Sequence, residues 1–136
     1  MTRTALITGA SSGIGEALAR DYAGAGWFLA LSGRDAKRLE TVAKTCRKLG
    51  SQMNAETVDV AERDAMARWI ESVDALNPLD LVIANAGTSA GTGGQGESES
   101  QARDIFAVNL AGVLNTVWPA ITAMRGRGRG QIAIVS

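Results

Sequence analysis

Five short apolar runs rich in β-forming residues alternate with longer stretches whose apolar residues recur at helical spacing, and this rhythm restricts the chain to a parallel sheet crossed by helices. Thr4-Ala-Leu-Ile-Thr8 reads as the first strand. It runs into a glycine turn and then a helix that places Ile14, Leu18 and Tyr22 on one face, closed by Gly24 and Gly26. Trp27-Phe-Leu-Ala-Leu31 is continuously apolar, as a strand buried on both faces requires. From Asp35 to Gly50 a second helix turns Leu39, Val42, Cys46 and Leu49 inward, with Asp35 as its N-cap and Gly50 as its stop. Ala55-Glu-Thr-Val58 is a third strand, and Met66, Trp69, Ile70 and Val73 mark the buried stripe of a third helix. Leu79 to Ala84 forms the fourth strand. A polar loop from Gly87 to about Ser98 follows and is a candidate mobile segment.

From about Glu99 a long helix carries Ile105, Phe106, Leu110, Val113, Leu114, Val117 and Ile121. Pro119 should kink it, since a proline inside a helix loses a hydrogen bond and clashes at a cost of ~3 kcal/mol. Gly126 to Gly130 is a loop, and Ile132-Ala-Ile-Val135 is the fifth strand. No linker divides the chain, so residues 1–136 read as one domain.

Composition removes several classes of function. Lys and Arg number 14, as do Asp and Glu, so no net field draws the chain to nucleic acid or to an anionic membrane. No stretch approaches ~18 consecutive apolar residues, and none is expected to span a bilayer. The opening MTRTALITGA lacks the layout of a secretory signal, and Cys46 is the only cysteine, which together point to the reducing cytoplasm. With no histidine, zinc sites and Ser-His or Cys-His catalysis within these residues are excluded. Arg125-Gly-Arg-Gly-Arg-Gly130 has the look of an RNA-binding tract, but without aromatic residues in a neutral chain it reads as a solvated loop.

The chemistry lies in Thr8-Gly-Ala-Ser-Ser-Gly-Ile-Gly15, where the first strand passes into the first helix. Glycines there let the backbone approach a pyrophosphate closely, and free N–H groups at a helix start attract its charge. Taken alone, the turn could equally be a glycine loop in which Ser11 or Ser12 caps the helix. It is accompanied, however, by Asp59-Val60 after the third strand, Asn85-Ala86-Gly87 after the fourth, Asn109 in the long helix, and Gly130-Gln-Ile-Ala-Ile-Val-Ser136 at the fifth strand. Together these resemble, in order and element by element, the short-chain dehydrogenase/reductase family.

That resemblance implies a Rossmann-like, doubly wound parallel sheet of about five strands in the order 3-2-1-4-5, cut after the fifth strand. The cofactor crevice would lie at the carboxyl ends of strands one and four. Gly9, Ser11, Ser12, Gly13, Ile14 and Gly15 would cradle the dinucleotide, Asp59 and Val60 would contact its adenine, and Asn85, Ala86 and Gly87 would complete the cofactor site, with Asn85 bracing the sheet beside it. Asn109 would be the catalytic asparagine, holding a water that links a catalytic lysine to bulk solvent. The reaction implied is hydride transfer between a nicotinamide and a small carbonyl or alcohol substrate, with no nucleic-acid or membrane partner. The long apolar helix would suit a homo-oligomer interface by the same analogy.

The residues add readings of their own. Asp59, with Glu62 three positions on, suits a capping box for the third helix, a role compatible with adenine contact. Asn109 is a polar residue beside an apolar stripe and asks for partners. At the end of the second strand, where a carboxylate would bind a free ribose 2′-OH, stands Gly33, followed by Arg34. A guanidinium suits a phosphate, so NADP(H) is expected over NAD(H), with Asp35 left as a helix cap. The family's tyrosine, with a lysine four residues later, has no counterpart: the one tyrosine is Tyr22, and the residue four later is Gly26. Ser136 aligns with the first of a frequent serine pair. These 136 residues are therefore expected to bind cofactor without turnover. They would be either a portion of a full oxidoreductase or a stand-alone binding module. A third reading, a nucleotide-binding or S-adenosylmethionine-dependent domain of the same fold, leaves Asn85-Ala-Gly87 and Asn109 unexplained.

Overall fold

The computed structural model describes residues 1–89 and 95–136. The elements are β1 Thr4–Ile7, α1 Gly13–Gly24, β2 Phe28–Gly33, α2 Ala36–Lys48, β3 Met53–Thr57, α3 Arg63–Leu76, β4 Leu81–Ala84, α4 Glu99–Phe106, a π-helical turn Ala107–Ala111, α5 Gly112–Arg125 and β5 Gln131–Ile134. The five strands form one sheet in the order β3-β2-β1-β4-β5, and every pairing is parallel. The expected sheet order is the one observed. Residues 90–94 of the glycine-rich loop expected to be mobile lie outside the described residues.

Alternation along the central strands feeds two cores. Ala5, Ile7, Leu29, Leu31, Leu81 and Ile83 point to one face, where they pack with α1 and α2. Leu6, Ala30 and Val82 point to the other, under α3 and α5. Burial on both faces accounts for the unbroken apolar runs. Asp35 caps α2 as expected, its carboxylate accepting the Arg38 N–H at 3.0 Å.

Helix faces depart from the sequence reading where small residues decide. α1 buries Gly15, Ala19 and Ala23 against the sheet; Ile14 is 60% exposed and Leu18 and Tyr22 are only half-buried. The last helix buries Val108, Gly112, Thr116, Ala120 and Met124, leaving Phe106, Leu110, Leu114 and Trp118 outward. Its apolar residues occupy more than one stripe, so apolarity alone does not choose a face, and the face that needs close approach takes the small side chains. Gly112 shows why: a Cβ there would lie 2.5 Å from Val60 Cγ2. The irregularity expected at Pro119 lies earlier, in the π-helical turn, and α5 continues through the proline. The run from Glu99 to Arg125 is long and apolar enough to cross a bilayer by length and composition, although it contains no stretch of ~18 consecutive apolar residues. Here it forms a layer against α3 and β4.

Other boundaries move slightly. β3 begins at Met53, β4 at Leu81 and β5 at Gln131, while Leu79 is buried ahead of its strand. Leu49, read as inward, is 49% exposed just beyond α2. Asp59 does not cap α3. Its carboxylate accepts the Ala61 N–H at 2.9 Å in an Asx turn, and Glu62 occupies the N-cap without a side-chain bond. A capping box is present at α4, between Ser98 and Gln101. The Arg-Gly tract is also more than a solvated loop, because Arg127 grips Asp74 through two hydrogen bonds of 2.9 and 2.8 Å and donates a third to the Leu79 carbonyl.

Candidate functional site

The site forms where β1 hands the chain to α1. Gly9 and Gly13 have φ of +64° and +57°, a region that glycine occupies without steric cost. Gly9 also lies so close to the β4 end that a Cβ would stand 2.8 Å from Ala86 Cα. At Gly15 a Cβ would run into the Gly9 carbonyl and come within 2.6 Å of Asn85 Nδ2. A Cβ at Gly13, by contrast, meets nothing within 4 Å, so this part of the turn faces open space.

Asn85 ties the turn together. Its Nδ2 donates to the carbonyls of Thr8 and Gly9, both at 3.2 Å. Thr8 Oγ1 in turn accepts the N–H groups of Asn85 and Ala86 at 3.0 and 3.1 Å. Through Asn85 and Ala86, β1 and β4 are locked together at their carboxyl ends. Ser12 is the N-cap of α1 in extended geometry, yet its side chain makes no capping bond. The first-turn N–H groups of Gly13, Ile14 and Gly15 have no acceptor within the helix, which leaves them for an anion.

A crevice opens beside this turn. Gly9, Ala86 and Gly87 line one side, Val58, Val60 and Val108 the apolar side, and Ser32, Gly33 and Arg34 the end of β2. Arg34 is exposed and makes no ion pair among the described residues. Asp35 is turned away, bonded to the Arg38 N–H. Ser11 sits across from the strand end, since a Cβ at Gly33 would lie 3.0 Å from its Cβ and Oγ. Val60 is 4% exposed, and its carbonyl accepts Asn115 Nδ2 at 2.8 Å.

Asn109 lies in the π-helical turn, and both ends of its amide engage the main chain of Thr88. Oδ1 accepts the Thr88 N–H and Nδ2 donates to the Thr88 carbonyl, each at 2.8 Å. The side chain therefore latches the loop after β4 onto the last helix. One lone pair and one N–H remain for any water it would hold. Tyr22 takes no part in the crevice and packs edge-on against Trp27, ring centroids 4.9 Å apart.

A parallel sheet whose strand order turns at β1, a glycine turn locked to Asn85-Ala-Gly87 and an asparagine latch in the last helix form one arrangement, and the sequence profile of the short chain dehydrogenase family matches residues 3–136. The chain belongs to the short-chain dehydrogenase family. An uncharacterized oxidoreductase of Myxococcus xanthus (strain DK1622) is 34% identical over 135 residues, covering 98% of this chain and 53% of the relative. The chain spans about half the length of that relative. An alcohol dehydrogenase from Thermococcus sibiricus, solved in complex with 5-hydroxy-NADP, is 32% identical with a TM-score of 0.87, over 98% of this chain and 57% of its own. An NAD+-bound xylitol dehydrogenase superposes with a TM-score of 0.89 over 97% of this chain and 52% of its own, and at 23% identity it supports the fold alone.

For this short-chain dehydrogenase chain, the structure brings Gly9, Arg34, Val60, Ala86 and Gly87 to one crevice, with Asn85 beneath, Ser11 at the strand end and Asp59 one residue from the wall. Asn109 stands beside Gly87, where a Cβ would be 3.4 Å from its Oδ1. Ser12, Gly13 and Ile14 are exposed at the helix start. Sequence reasoning missed Ser32, Val58, Val108, Gly112 and Asn115. Period-two alternation along β2 was a usable signal for Ser32, whereas nothing local marks Asn115 as a partner of Val60.

Proposed function

We propose that this chain is the dinucleotide-binding part of an NADP(H)-dependent oxidoreductase acting between a nicotinamide and a small carbonyl or alcohol substrate. The carrying observation is Arg34, exposed at the crevice rim beside a glycine and with its acidic neighbour turned away. The donor set fits the cofactor: first-turn N–H groups of α1 for the pyrophosphate, Arg34 for a ribose 2′-phosphate, and Val58 and Val60 with Asp59 for the adenine. When bound, the nicotinamide supplies or takes the hydride. The chain's own residues would orient it: Asn85 ties the carboxyl ends of β1 and β4 together beside the crevice, and Asn109 holds the main chain at Thr88.

The family resemblance assigns proton transfer to a tyrosine paired with a lysine four residues on, and no such pair occurs within these 136 residues. Binding without turnover is the reading they support for this chain by itself. The outward row Phe106, Leu110, Leu114 and Trp118 supports a homo-oligomer in the complete enzyme. The test of the binding reading is calorimetric titration with NADPH and NADH. Saturable binding, tighter for NADPH, is expected; no binding of either overturns it.

A further inference from the structure

Ser32 sits one residue before the end of β2 and is 1% exposed. Its Oγ is, among the described residues, the one buried side-chain polar atom without a hydrogen-bond partner. Three other buried hydroxyls are paired. Thr8 Oγ1 accepts two N–H groups, Ser51 Oγ donates to the Trp27 carbonyl at 2.7 Å, and Thr116 Oγ1 donates to the Gly112 carbonyl at 2.8 Å. Burying a hydroxyl unpaired costs free energy that an apolar side chain of the same size would not. Ala30, two residues earlier on the same face of the strand, shows that this face accepts a methyl group readily.

The strand cannot shift to find Ser32 a partner. The Ser32 carbonyl accepts the Ala10 N–H at 2.9 Å, its neighbours on β2 are in register with β3, and Gly33 is hemmed in by Ser11. What Ser32 does have is a place on the crevice wall, beside Arg34 and across from Val58, Val60 and Val108. Those valines form an apolar slot suited to a flat base, and the hydroxyl is the polar side chain set at its β2 end. A ligand in the slot would meet Oγ by rotation about the single Cα–Cβ bond, a change that leaves the backbone in place.

We infer that the Ser32 hydroxyl is a direct hydrogen-bond partner of the adenosine half of the cofactor, left unpaired by the fold so that this ligand completes it. The inference rests on the dinucleotide reading above and goes beyond it by naming a neutral group that acts on both cofactors alike. Arg34 discriminates through the 2′-phosphate, so its loss changes the ratio of NADPH to NADH affinity. Ser32 touches the part that the two cofactors share, so its loss lowers both and keeps the ratio.

The experiment is calorimetry on the chain and on Ser32→Ala with NADPH, NADH, adenosine 2′,5′-bisphosphate and nicotinamide mononucleotide, together with thermal melts of both proteins without ligand. The variant is expected to bind the three adenosine-bearing ligands about two- to twelvefold more weakly, the worth of one neutral hydrogen bond, with nicotinamide mononucleotide unaffected. Its ligand-free melting temperature should equal or exceed that of the parent chain, because an unpaired buried hydroxyl has been removed. Unchanged affinities, a shifted NADPH-to-NADH ratio, or a lower melting temperature in the ligand-free variant would each overturn the assignment. A parent chain that binds none of the adenosine-bearing ligands overturns the dinucleotide reading as well.

Discussion

Arg34 and Asp35 are neighbours of opposite charge, and the structure separates their duties. The carboxylate is bonded to the Arg38 N–H at the start of α2, whereas the guanidinium stands exposed at the crevice rim. Arg34→Ala should therefore remove most of the preference for NADPH over NADH. A charge-assisted hydrogen bond is worth ~1.5–3 kcal/mol, so the expected fall in NADPH affinity is roughly ten- to 150-fold, with NADH little changed. Calorimetry giving equal losses for the two cofactors would remove Arg34 from the phosphate site. Gly15 offers a second test at this scale, because its Cβ would overlap the Gly9 carbonyl and crowd Asn85 Nδ2. Gly15→Ala should destabilise the fold by ~1–3 kcal/mol, as overpacking does, and should open the lock between β1 and β4. Urea unfolding checks it, and a variant of parental stability would show that the turn has room to spare. Gly9, Gly15 and Asn85 were legible in sequence because backbone geometry allows few residue types there. Asn115 was not, since its bond to the Val60 carbonyl joins segments distant in the chain.

Elements were easier to find than to orient. Alternation and glycine stops located the strands and the first three helices to within a few residues, as a pattern of strands alternating with helices allows. The inward face of α1 and of the last helix could not be read, because close approach to the sheet selects small residues and leaves the bulky ones at the flank. Long-range polar contacts were equally hidden. The Arg125-to-Gly130 tract looked like solvent-facing charge, yet Arg127 clamps Asp74 of α3 and the Leu79 carbonyl just before β4. Burial opposes the charged form of Asp74, but the Arg127 hydrogen bonds and charge, with the Leu79 N–H, outweigh it and hold the carboxyl below its usual value of 3.8. A carboxylate depressed in the folded state stabilises the fold above its unfolded pKa and loses that contribution as pH falls through the folded one. Asp74→Asn should accordingly cost ~1–3 kcal/mol at pH 7, the worth of hydrogen bonds to a charged group, and this difference from the parent should shrink below about pH 4. Unfolding curves recorded from pH 7 to pH 2 decide the matter; a difference that stays constant throughout would exclude the carboxylate charge as its source.

At the scale of the molecule, sheet order and site position were legible together, since a doubly wound sheet places its ligand where strand order turns back on itself. The crevice lies at that point, at the carboxyl ends of β1, β2 and β4. The groups proposed to bind the cofactor are gathered there, but the groups that would move a proton are not. The single tyrosine, Tyr22 of α1, packs on Trp27 just before β2, outside the crevice, and no Tyr-x-x-x-Lys occurs in the 136 residues. Asn109 commits one lone pair and one N–H of its amide to Thr88, and a neutral amide is no source of protons. Positioned acid–base catalysis contributes ~10²–10⁴ in rate, and holding a substrate against the hydride donor contributes a second large factor. This chain should therefore bind NADPH yet oxidise it no faster than buffer in the presence of ketones or aldehydes. A longer version that carries a Tyr-x-x-x-Lys pair beyond Ser136 should turn over substrates from the same panel. The measurement is loss of NADPH absorbance for both proteins, with calorimetry confirming that each is loaded with cofactor. Equal turnover by the two would place the proton donor among residues 1–136, and Asn109 and Tyr22 would then be the first to substitute.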